Sequence, residues 1–184
     1  YQGAIADYNK AIAINPQNSI AYYNRGTAKG DLGDTQGAIA DYNKAIDIDP
    51  QYGIAYNNRG NAKDDLGDYQ GAIADLTRAI EIDPQDADTY YNRGNAKRNL
   101  KDNQGAIADY NKALAINPQH APAYNNRGIA KGLLKDYQGA IADYNIAIAI
   151  NPQLAEAYNN RGVVKKISGN YQGAIADYNK AIEI

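Results

Sequence analysis

An all-α fold built as a solenoid of helix pairs is predicted by three features of this 184-residue sequence. The string QGAIAD begins at Gln2, Gln36, Gln70, Gln104, Gln138 and Gln172, each 34 residues after the last. The string NRG begins at Asn24, Asn58, Asn92, Asn126 and Asn160 with the same step. Pro16, Pro50, Pro84, Pro118 and Pro152 keep that register too. A fixed period in this range marks stacked supersecondary units. No alternating apolar run of strand type competes with the helical pattern.

Within one unit, residues 19–52, the first helix is expected from about Ile20 to Leu32. Gly33 suits a left-handed cap at its end. Asp34 is placed to cap the second helix, Thr35 to Ile48. On that helix Ala38, Ile39, Tyr42, Ala45 and Ile46 share one apolar face. Asp49-Pro50 then ends the unit, because proline disfavours helix at the residue before it. The chain divides into a leading helix, 1–18, and repeats at 19–52, 53–86, 87–120, 121–154 and 155–184, one continuous array over 1–184. With no Met anywhere, the chain is expected to start inside a longer protein or after processing.

A 34-residue helix-turn-helix unit resembles the tetratricopeptide repeat (TPR) family, and the resemblance covers the whole chain. Tyr22, Tyr56, Tyr90, Tyr124 and Tyr158 stand where the family often has Trp. Gly26 and its copies match the small residue of the first helix, Ala38 and Ala45 the small residues of the second. Tyr42 matches the aromatic between them, and Pro50 the closing proline. The family implies a right-handed superhelical solenoid of antiparallel helix pairs, with the first helices lining a concave surface. Three features depart from its pattern. Lys29, Lys63, Lys97, Lys131 and Lys165 stand where the family often has a bulky residue. Arg25, Arg59, Arg93, Arg127 and Arg161 precede the glycine where an apolar residue is usual. Gly37 and its copies stand where a Glu would complete a capping box.

Composition excludes most chemistry. There is no Cys, so thiolate metal sites, disulfides and thiol nucleophiles are out. Only one His, His120, and two Ser, Ser19 and Ser168, are present. His120 reads as a solvated loop residue with no second His to share a metal, and no phosphate-loop, nucleophile-elbow or dinucleotide motif occurs. The expectation is a non-enzyme with no catalytic residues, no metal and no cofactor. The formal charge of −2 shows no basic excess of the kind nucleic-acid binding needs. No apolar run approaches the ~20 residues of a membrane-spanning helix.

Charge within the repeat is patterned. Arg25 and Lys29 lie four apart on one helix face, and each second helix carries one Asp, such as Asp41. Each Asp is expected to neutralise the Arg/Lys pair of an adjacent helix, since a guanidinium makes two parallel bonds to a carboxylate. An anion-binding stripe is the alternative reading.

The function expected is a scaffold holding an extended peptide or protein segment in its groove. Asn24, Asn58, Asn92, Asn126 and Asn160 offer amide donors and an acceptor suited to a peptide backbone, with Asn61 and Asn95 one turn on. These Asn could instead bond only to neighbouring helices. Tyr23, Tyr91, Asp64, Ile129 and Leu133 vary between copies and are expected to set specificity. Asp31, Asp64 and Asp65 make the early face acidic; Ile129, Leu133, Val163 and Ile167 make the late face apolar. The alternative is a structural or self-assembling spacer, with end-to-end self-association through apolar faces of the terminal helices.

Overall fold

The computed structural model describes residues 1–184 and contains eleven α-helices and no strand. They are α1 (Gln2–Ile14), α2 (Ser19–Asp31), α3 (Thr35–Ile48), α4 (Gly53–Asp65), α5 (Tyr69–Ile82), α6 (Ala87–Asn99), α7 (Asn103–Ile116), α8 (Ala121–Leu133), α9 (Tyr137–Ile150), α10 (Ala155–Ile167) and α11 (Tyr171–Glu183). The fold class is the expected one, an all-α solenoid of helix pairs. The helices form two compact units, Tyr1–Ala96 and Lys97–Ile184.

In the first unit, α2 and α3 run antiparallel. Gly30 meets Ala38 near the turn, while Gly26 meets Tyr42 one turn further along both helices. The approach is close because Gly26 has no side chain: a Cβ there would lie 2.9 Å from the Tyr42 ring. Gly60 does the same in α4, where a Cβ would fall 2.8 Å from Leu76 Cγ. The next repeat closes over the pair. Ala45 and Ile46 pack with Ala55 into one buried cluster, flanked by Tyr22, Tyr23, Tyr52 and Tyr56. Small residues set the helix spacing and the tyrosines fill the seams.

The turn between paired helices explains the unusual glycine. Asp34 Oδ1 accepts from Gly37 N at 2.9 Å, a side-chain N-cap. A Cβ at Gly37 would run into that same Asp34 carboxylate. Asp68 with Gly71 repeats the arrangement. The glycine therefore makes room for the cap, which takes the place of a capping box.

In the second unit the pair α8 and α9 packs the same way: a Cβ at Gly128 would sit 2.7 Å from the Tyr144 ring. Ala140, Tyr144 and Val164 form a buried cluster against Ile129, Tyr137 and Ile141. The left-handed turn position differs from the sequence expectation. Gly33, Gly67 and Gly169 hold it with positive φ, but Lys101 (φ 67) and Lys135 (φ 65) hold it in the remaining copies. The capping Asp102 and Asp136 follow these lysines and bond to Gly105 N and Gly139 N. His120 is the N-cap of α8, its Nδ1 accepting from Ala123 N at 3.2 Å, so it is part of the helix start rather than only a solvated loop residue.

Candidate functional site

The Arg/Lys/Asp pattern folds into a repeated staple. In α2 the Arg25 guanidinium donates from Nε to Asp41 Oδ2 at 2.9 Å and from Nη2 to Asp41 Oδ1 at 2.5 Å. Lys29 Nζ reaches the same carboxylate at 2.8 Å. Like charges four apart are thus held by one shared acid. The staple also reaches back: Arg25 Nη1 donates to Asn9 Oδ1 of α1 at 2.7 Å. Arg25 therefore ties three helices, and its Cζ lies 5.4 Å from the Tyr22 ring centroid, within cation–π range. Arg59 repeats every contact with Asp75, Asn43 and Tyr56. In the second unit Arg127 binds Asp143 and Asn111, and Arg161 binds Asp177 and Asn145. Burial pulls the Asp177 carboxyl upward, but the bonds from Arg161 and Lys165 outweigh it and hold it below the usual range. These charges are committed within the protein.

The Asn ladder is partly committed as well. Asn58 Nδ2 donates to Tyr23 Oη at 3.1 Å, and Asn92 Nδ2 to Asn57 Oδ1 at 3.1 Å. In the second unit Asn160 Nδ2 donates to Asn125 Oδ1, again at 3.1 Å. Each amide thus spends one donor on the first helix of the preceding repeat. An Asn amide has two donors; Asn58 also bonds toward the Tyr42 hydroxyl, whereas Asn92 and Asn160 keep one donor beyond these bonds. Asn24 and Asn126 are half-buried at the corresponding positions of α2 and α8. The ladder partners Asn57 and Asn125 were not singled out from the sequence. Their position varies, with Tyr23 and Tyr91 in other copies, and that variation hid a linking role.

The variable residues line separate hollows within each unit. In the first, Tyr23 lies against Tyr42 and Tyr52 with ring centroids 5.9 and 5.2 Å apart. Asn61, Asp64, Asp65, Asn92 and Asn95 line one polar hollow. Tyr91 is half-buried on α6. In the second, Ile129, Leu133, Val163 and Ile167 share an apolar slot with Asn160 at its edge. A larger hollow of about 740 Å³ lies between α10 and α11, lined by Glu156, Asn159, Tyr178 and Ile182 among others. Sequence reading missed this hollow, because Glu156 has no Glu counterpart in the other copies and Asn159, the copy of Asn57 and Asn125, lies inside a repeated string. No group of three or more His, Asp or Glu side chains is placed to hold a metal ion. No helix is long and apolar enough to cross a membrane.

Tetratricopeptide-repeat profiles match residues 19–52, 87–120 and 155–184, and a second TPR profile matches 1–33, 65–100 and 133–166. The chain belongs to the tetratricopeptide repeat family. Among solved structures it is similar to MamA, at 30% identity over 86% of this chain and 92% of that one, with a TM-score of 0.78. It has the fold of MamA 41-end from Desulfovibrio magneticus RS-1, at 19% identity over 90% of this chain and 93% of that one, TM-score 0.82. It also has the fold of YrrB, described as a TPR protein with an unusual peptide-binding site, at 23% identity over 96% of this chain and 91% of that one, TM-score 0.76. No curated protein matches the chain significantly in sequence. The family and its repeat architecture are those of a protein-interaction scaffold.

Proposed function

We propose that this scaffold holds an extended partner segment along its first-type helices, with Asn58, Asn61 and Asn92 serving the first unit and Asn126 and Asn160 the second. The observation that carries this reading is the division of labour within each repeat. The residues that tie helices together, such as Arg59 and Asp75, recur unchanged, while the lining of the polar hollow and of the apolar slot differs from copy to copy. Sameness suits packing and, at the Asn ladder, bonding to a peptide backbone whatever its sequence; difference suits reading a ligand's side chains. The peptide-binding site named for YrrB supports the class of partner.

The first unit carries eight Lys/Arg against fourteen Asp/Glu, a net charge of −6, and the second eleven against seven, a net charge of +4. Charge therefore suits basic or polar segments on the first unit and disfavours basic ones on the second, where the slot walls ask for apolar side chains. The scaffold has no role as an enzyme in this reading.

A second reading, a self-assembling spacer, is favoured by the outer face of α11, where Ile175 and Ile182 are 58% and 83% exposed.

The test is selection of peptides from a random library on the intact chain, followed by affinity measurement on an Asn92→Ala/Asn126→Ala variant. Weaker binding with retained helicity is the expected result. Unchanged affinity would reject the ladder as the peptide-reading element.

A further inference from the structure

We infer that the slot on the second unit takes an internal segment in which one or two aliphatic side chains are followed by a side-chain carboxylate. This rests on the groove reading above and names the chemistry of its partner. Four facts converge. The slot lies between α8 and α10, has a volume of about 220 Å³, and is walled by Ile129, Leu133, Val163 and Ile167. Leu133, Val163 and Ile167 are 60%, 42% and 58% exposed, an apolar face that nothing in this chain covers. Gly132 leaves the floor open, since a Cβ there would meet only Val164 and Ala140 at ordinary contact distance. Lys166 stands three residues after Val163 on α10, next to that wall residue on the helix surface.

The electrostatics decide the sign of the partner. Unlike Lys131 and Lys165, which are bound to Asp143 and Asp177, Lys166 is exposed and makes no ion pair. No carboxylate lines the slot. Asp136 and Asp143 each adjoin a lining tyrosine, but Asp136 is turned to cap Gly139 N and Asp143 is bound by Arg127 and Lys131. Glu156 lines the adjoining hollow at the Asn160 end, ten residues and so about 15 Å along α10 from Lys166. The unit as a whole carries the +4 charge noted above. An acidic apolar segment is thus steered toward this face, and a basic one is repelled.

An internal segment fits better than a chain end. A free C-terminus carries its charge on the backbone, which would lie against apolar walls and lose hydration. A Glu side chain instead reaches past the aliphatic walls to Lys166.

Four capped or uncapped synthetic octapeptides test this on the intact chain by fluorescence anisotropy. The first is capped and carries two Leu and two Glu. The second has Lys for Glu, the third Ser for Leu, and the fourth is the first with a free C-terminus in place of one Glu. The first is expected to bind best. Exchanging Glu for Lys should weaken it about fivefold, and exchanging Leu for Ser about tenfold or more. Lys166→Glu should invert the Glu/Lys preference with circular dichroism unchanged, and the preference should shrink in high salt. A preference untouched by Lys166→Glu, or tighter binding of the fourth peptide, overturns the proposal. If the Lys peptide alone binds and only mutations in the first unit affect it, this proposal fails while the groove reading stands. If no peptide from these or from the random library binds, both fail.

Discussion

Asp75 receives two bonds from Arg59, from Nε at 2.8 Å and from Nη2 at 2.6 Å, and so faces its guanidinium edge to edge. Lys63 adds a third contact at 2.7 Å. The acid is almost fully buried, and the Arg59 side chain is 15% exposed. Such a geometry stabilises little relative to an apolar replacement of the whole cluster, but removing one member leaves the others uncompensated.

Asp75→Ala is therefore expected to destabilise the protein by about 3 kcal/mol. Thermal unfolding followed by circular dichroism should show a clear drop in midpoint. No change would mean that the staple is surface decoration.

Asp34 and Gly37 should behave as a coupled pair. Gly37→Ala alone is expected to cost about 1 kcal/mol, because the new methyl displaces the capping carboxylate. In an Asp34→Ala background the same change should be neutral or stabilising, since alanine favours helix over glycine by about 1 kcal/mol. A double-mutant cycle in urea measures the difference, and additive effects would remove the explanation of the glycine.

Lys135 holds a left-handed conformation that costs an L-residue about 1–2 kcal/mol. It is exposed and makes no ion pair. Lys135→Gly should raise stability by roughly 0.5–1 kcal/mol, the relief less the greater chain entropy of glycine. A lower urea midpoint would contradict this.

Acid should undo the staple at Asp177. The folded Asp177 carboxyl titrates below its ordinary value of 3.8. Its contribution is therefore present above that ordinary value and lost as pH falls through the lower, folded one. Stability measured from pH 7 downward should be flat for this group until about pH 4 and then decline. In Asp177→Asn the decline should be shallower.

Solutions of this chain should associate through the α11 face. Light scattering across a concentration series is expected to show rising mass, and Ile182→Lys should suppress it. A constant monomer mass at high concentration would leave the spacer reading without support.

The sequence by itself determined the helices and their pairing. A 34-residue period leaves little freedom, because each unit must repeat the same contacts with its neighbours. Arg59 with Asp75 was legible for the same reason: the charges recur in step and balance locally. The polar hollow around Asn61 and the apolar slot around Leu133 were legible as variation against that constant background. Tertiary structure decided three things that local pattern does not encode. It sent Arg25 back to Asn9 in the preceding helix, and it engaged one donor of Asn58 with Tyr23. It also explained Gly37, whose reason lies in the volume taken by the Asp34 carboxylate. Each depends on where a side chain ends in space, and a repeat period reports only where it begins along the chain.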